Sequence, residues 1–149
     1  MEDISVEEAE KYGIKNKHSI LDSGERRFRQ ICLKDNSAYI RAEGNEVGYW
    51  QISHYHKYAR EIYIIQKGAV IVAIYVKNKV KLKKYKEGDI FIIEPGIPHN
   101  VYMYPNTVSH TVKFGESDEY DWERFELLDE KIKEMDIDYW INTYKLKTI

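Results

Sequence analysis

Between positions 28 and 114 the apolar residues recur in short strand-like runs. Segments rich in β-branched and aromatic residues at 28–33, 38–42, 48–56, 61–66, 69–76, 80–85, 90–93, 100–104 and 109–114 alternate with turn residues. Lys77-Asn78-Lys79 reads as a hairpin, because asparagine tolerates the left-handed backbone of such a loop, and Pro105-Asn106 plays the same part before the last strand. Ser5-Val6-Glu7-Glu8 fits a capping box and predicts a short helix running to Lys11-Tyr12 and stopped by Gly13. Beyond Gly115 the period lengthens. Trp122, Phe125, Leu128, Ile132 and Met135 recur at helical spacing and predict an amphipathic helix over 121–135, packed on the outside of the strands, with a second short helical segment at 139–144. The pattern predicts an all-β, antiparallel sandwich or barrel over about 28–114, with a short N-terminal helix and a C-terminal helical tail at about 117–145.

The length of 149 residues suits a single domain, taken as 1–149. Net charge is −2 with the charged residues interspersed, so no basic face speaks for nucleic acid or an anionic membrane. Met1-Glu2-Asp3-Ile4-Ser5 is acidic and lacks the apolar core of a secretion signal, and no run is long enough to cross a bilayer, so a cytoplasmic location is expected. The lone Cys32 fits a reducing compartment and, within Gln30-Ile31-Cys32-Leu33, is expected to be a small buried hydrophobe rather than a nucleophile.

The candidate chemistry lies in two stretches, Gly48 to Gly68 and Gly88 to His99. Successive strand residues face opposite sides, so His54 and His56 share a face, together with Trp50 and Ile52. Glu61 opens the next apolar run and would bring a carboxylate back beside them; its own phase carries Tyr63 and Ile65 inward, and that of His99 carries Val101 and Met103. An unpaired buried carboxylate is costly, and a metal ion would supply the missing charge. These residues resemble the cupins. The first cupin motif, Gly, five residues, His-x-His, three or four residues, Glu, six residues, Gly, is met in every spacing by Gly48, His54, His56, Glu61 and Gly68. The second is met by Gly88, Gly96 and His99, with Glu94 in place of a proline and Met103 in place of an asparagine. The resemblance implies a small jelly-roll barrel and His54, His56, Glu61 and His99 as ligands of one divalent metal ion.

Imidazole and carboxylate donors suit Zn, Fe, Mn, Ni or Co, and the absence of thiolates argues against a purely structural zinc site. A six-coordinate ion would keep two positions open for water or substrate oxygens. Tyr63 is the candidate proton carrier on an inward phase; on the last strand His110 and Lys113 take opposite faces, so one of the two would enter the cavity, and His110 is the second catalytic candidate. The stretch His54 to Tyr63 is similar to the metal site of cupin sugar isomerases, and the barrel to nucleotide-sugar epimerases. That likeness implies a small-molecule, sugar-derived substrate and an isomerase or epimerase reaction. An iron-dependent dioxygenase and a non-catalytic metal-dependent binding protein are the alternatives. A homodimer is expected, because small jelly rolls expose sheet edges that an aromatic-rich tail would help to cover.

Overall fold

The computed structural model describes residues 1–115, 117–118, 120–136 and 138. In chain order its elements are helix α1 (Val6–Lys11), strands β1 (Ile14–Asn16), β2 (Ser19–Ile20), β3 (Arg26–Cys32), β4 (Ala38–Glu43), β5 (Tyr49–Trp50), β6 (His54–His56), β7 (Arg60–Lys67), β8 (Ala69–Val76), β9 (Lys79–Lys86), β10 (Ile90–Ile93), β11 (His99–Met103), β12 (Val108–Phe114) and β13 (Trp122–Arg124), and helix α2 (Glu126–Lys133). One sheet has the order β1-β3-β4-β12-β7-β10 with β2 also paired to β3; the other runs β13-β6-β11-β8-β9 with β5 also paired to β11. This is an antiparallel jelly roll of two facing sheets.

The inner faces close on one another through Ala42, Tyr63, Ile65, Phe91 and Ile93 from the first sheet and Val70, Val72, Val101 and Met103 from the second. On the outer face of the second sheet Ile71, Ala73, Val80 and Leu82 pack against Leu128 and Ile132 of α2. Strand β8 is thus covered on both sides, which explains its unbroken apolar run Ala69-Val70-Ile71-Val72-Ala73-Ile74. The β8–β9 hairpin turns at Lys77 and Asn78, both left-handed at φ 51° and 60°. At α1 the Ser5 hydroxyl accepts from the Glu8 backbone N–H at 3.1 Å, and Gly13 leaves the helix at φ 84°.

Four expectations need correction. The C-terminal helix starts at Glu126, not at 121, because Trp122–Arg124 pairs with β6 and satisfies what would otherwise be an open sheet edge; the expected segment at 139–144 lies outside the described residues. The run 48–56 is two strands, since side chains take over the backbone bonds between them. Asn100 Nδ2 donates to the Gln51 carbonyl at 2.9 Å and the Ser53 hydroxyl at 3.0 Å, while the Ser53 N–H donates to Asp129 Oδ1 at 3.1 Å. Strand alternation is lost across the break, so Trp50 packs with the outer cluster and Ile52 is 52% exposed instead of both pointing inward with the histidines. Cys32 is half-buried near the end of β3, not fully enclosed. No helix among the described residues is long and apolar enough to cross a membrane.

Candidate metal centre

The sheet register itself brings two imidazoles together. His54 on β6 and His99 on β11 are direct cross-strand partners, with ring centroids 4.4 Å apart. The loop that delivers His99 is pinned at both flanks: the Gly96 N–H donates to the His56 carbonyl at 2.7 Å and the Pro98 carbonyl accepts from the Tyr75 N–H at 2.9 Å. Gly96 is left-handed at φ 77°, so Glu94 in place of a proline leaves the turn intact. Glu61 arrives from β7 of the opposite sheet. One donor atom each from His54, Glu61 and His99 lies within 4.8 Å of the others.

Each histidine has its proton placed by a partner on the far side of the ring. His54 Nδ1 donates to the Ile52 carbonyl at 2.8 Å, His99 Nδ1 to the Ile97 carbonyl at 3.0 Å, and His56 Nδ1 to Asp121 Oδ2 at 2.6 Å. A carbonyl or carboxylate only accepts, so these bonds assign the proton to Nδ1 and turn each Nε2 lone pair toward the site. His99 Nε2 is buried and lies 3.1 Å from Glu61 Oε2, but out of line for a hydrogen bond, and it has no partner. An orphaned buried nitrogen beside a buried carboxylate fits a divalent cation.

The charge states agree with this. Burial, reinforced by His99, pushes His54 down to about 3, so it is neutral and ready to bind. Burial also opposes the charged form of His56, but Glu61 and Asp121 outweigh it and raise the group above its ordinary value. Burial alone would raise Glu61; the facing His56 and His99 instead hold it well below the usual carboxylate range. His56 Nε2 faces Glu61 Oε1 at 3.4 Å, so His56 borders the three-residue group through Glu61.

Tyr63 is buried, stacks on Phe91 at 4.7 Å and directs its hydroxyl to Glu61 Oε2 at 3.4 Å. Burial and the Glu61 charge hold that hydroxyl protonated, well above its ordinary range. His110 is not in the cavity. It lies on the outer face of the first sheet, where Nδ1 meets the Tyr39 hydroxyl at 2.7 Å and Nε2 donates to Gln66 Oε1 at 2.5 Å. Alternation along β12 instead turns Ser109, Thr111 and Lys113 inward.

These inward groups wall a cavity of about 230 Å³ that also contains Gln51, His54, His56, Glu61 and Tyr63. A wider crevice of about 580 Å³, lined by Ile20, Trp50, Ile52 and Trp122, shares Glu25, Arg27, Gln51, His54 and Trp122 with it. Two acids were not among the candidates read from the sequence. Asp121 is fully buried, and besides holding His56 it accepts from the Tyr58 and Ala59 N–H groups at 2.7 and 3.2 Å, which fixes the turn leading to Glu61. Glu25, also fully buried, accepts from Arg27 Nε at 2.5 Å, the Tyr49 hydroxyl at 2.5 Å and Gln51 Nε2 at 3.0 Å.

The two-sheet frame recurs in solved structures. KdgF from Halomonas sp. superposes with a TM-score of 0.54 at 13% identity, over 69% of this chain and 88% of its own. Oxalate decarboxylase from Bacillus subtilis gives 0.59 at 16% identity over 90% of this chain. Both are cupins. The chain has the cupin fold. The chain spans 38% of the oxalate decarboxylase chain. Drosophila melanogaster CENP-C, in a complex with CAL1, also matches at TM-score 0.53 and 13% identity, over 66% of this chain and 76% of that one. No protein-family profile and no curated relative matches the sequence. At such identities the likeness establishes the fold, and activity has to be argued from the site.

Proposed function

We propose that this cupin is a metal-dependent enzyme that moves a proton next to a carbonyl on a small polyhydroxylated substrate, a sugar isomerase or epimerase in reaction type. The observation that carries the reading is the shared cavity: His54 and Glu61, which reach buried His99 behind them, and the Tyr63 hydroxyl lie among Gln51, Ser109, Thr111 and Lys113, a dense set of groups that hydrogen-bond substrate hydroxyls. His54, His56, Glu61 and His99 would hold the ion, which supplies Lewis acidity to a substrate oxygen. Zn, Fe, Mn, Ni and Co all suit these donors, and manganese has a precedent in the Mn(II) centres of the Bacillus subtilis oxalate decarboxylase.

Among the protein's own groups, Tyr63 is the one placed for proton work. Tyr63, kept protonated by burial, donates to the oxygen that gains charge. Lys113, pulled below its ordinary value by burial against the pull of Glu61 and Asp121, lines the same cavity beside the substrate. The small inner cavity favours a monosaccharide-sized substrate, and a nucleotide sugar would extend into the outer crevice. Incubation of metal-loaded protein with aldoses, ketoses and their derivatives in D₂O tests the reading. Deuterium should enter at the carbon beside the carbonyl, and Tyr63→Phe should slow entry about 10²–10⁴-fold with metal retained. Absence of exchange with every sugar, together with oxygen uptake by the iron form, would transfer the assignment to a dioxygenase.

A further inference from the structure

The inner cavity carries more positive charge than its own acids can use. Arg27, Arg29 and Lys113 line it, against the carboxylates of Glu25 and Glu61. Both acids are engaged: Glu25 receives Arg27, Tyr49 and Gln51, and Glu61 faces His56 and His99. Arg29 is left without a carboxylate. Its Nη2 donates to the Ser19 hydroxyl, while its Nε is buried and has no partner. Lys113 takes no hydrogen-bond acceptor and no ion-pair partner at bonding distance among the described residues.

Strand alternation forces Arg27 and Arg29 onto the same inner face of β3, on the wall that also holds the inward side chains of β4 and β12. Adjacent guanidinium groups repel, and a buried Nε without an acceptor loses the bond it would make to water. A bound oxyanion relieves both at once, since guanidinium matches carboxylate or phosphate oxygens with parallel N–H donors. A divalent ion at the histidine end would add to the same field.

We propose that the substrate of this cupin is a small acid whose oxyanion, carboxylate or phosphate, is held by Arg29 and Lys113 while its hydroxyl-bearing end faces His54, Glu61 and His99. This rests on the sugar-directed reading above and narrows it to sugar acids or sugar phosphates. Arg29 and Lys113 are assigned as specificity residues of the cavity, with Arg27 held in place by Glu25.

Binding of a hexuronate, a hexose 6-phosphate and the neutral hexose is measured by calorimetry on both metal-free and metal-loaded protein. The charged ligands should bind at least about tenfold more tightly than the neutral hexose, in both forms and less so at high salt. Whichever of the two binds better identifies the oxyanion. Arg29→Gln and Lys113→Gln should each weaken the charged ligand about tenfold or more, leave the neutral hexose and metal content unchanged, and Arg29→Lys should restore part of the loss. Equal binding of charged and neutral ligands, or indifference to both glutamine variants, would overturn the proposal. Anion binding that survives in the metal-free protein without any deuterium exchange would count against the isomerase reading and leave the anion site standing.

Discussion

Replacing Asp121 with asparagine sets two hydrogen-bonding demands against each other. One carboxylate oxygen accepts from the Tyr58 and Ala59 N–H groups and the other from His56 Nδ1. In Asp121→Asn the amide oxygen serves the two backbone donors best, which leaves the NH₂ facing the imidazole N–H. The conflict is relieved if His56 moves its proton to Nε2, and that removes the lone pair directed at Glu61. Turning the amide over is worse, because NH₂ would then face two backbone donors. Loss of such an outer carboxylate costs about 10–100-fold in metal affinity, which corresponds to about 1.4–2.7 kcal/mol. Competition with a chromogenic chelator measures the affinity, and ¹⁵N NMR of the imidazoles reports the tautomer. Wild-type affinity in Asp121→Asn, with the His56 proton still on Nδ1, would refute the reasoning.

Alanine at both His54 and His56 should abolish stoichiometric metal, read by elemental analysis, while far-ultraviolet dichroism still shows a folded β protein. Metal affinity should fall as pH falls through the raised value of His56, because the charged ring must give up its proton to bind, whereas His54, at about 3, has none to give; calorimetry in buffers of different ionisation enthalpy counts the protons released. The sign follows for stability: the contribution of the raised His56 to the metal-free protein is complete below its unfolded value and fades as pH rises through the folded one, whereas metal affinity rises over the same interval. The melting temperatures of metal-loaded and metal-free protein should therefore diverge between mildly acidic and mildly basic pH, and a constant gap would contradict the assignment. Leu128→Ala, at a fully buried site between α2 and the second sheet, should cost about 2–5 kcal/mol in denaturant unfolding. The chain should sediment as a dimer, since Ile64, Ile90, Ile92, Val112 and Phe114 lie exposed on the outer face of the first sheet; a monomer at high concentration would exclude this.

The candidate ligands were legible because their spacing is local: a His-x-His pair, a glutamate one turn later and a histidine after a glycine-proline loop each announce themselves within a few residues. Asp121 was not, since it meets His56 across 65 positions, and its neighbours Trp122 and Phe125 belong equally well to a helical stripe. The local period could not reveal that β6 had an edge to fill. Trp50 and Ile52 were misplaced for a related reason: alternation holds only while the ladder is unbroken, and Asn100 breaks it from another strand. In β3 the alternating Arg27 and Arg29 look like a solvated face, and only the closed fold shows that they point inward. His110 and Lys113 stood one register step from an answer, and the first sheet resolved it in favour of Lys113.

Glu61 comes from one sheet and His54 and His99 from the other, so an ion seated among them is a rivet through the open end of the sandwich. Occupancy then becomes cohesion between layers, growing with the logarithm of free metal and reaching about 2.7 kcal/mol at a hundred times the dissociation constant. On the proposed reading, a cell short of the metal would hold fewer working copies and also a shorter-lived fold, so that the supply of one ion would set both how much of this protein works and how long it lasts.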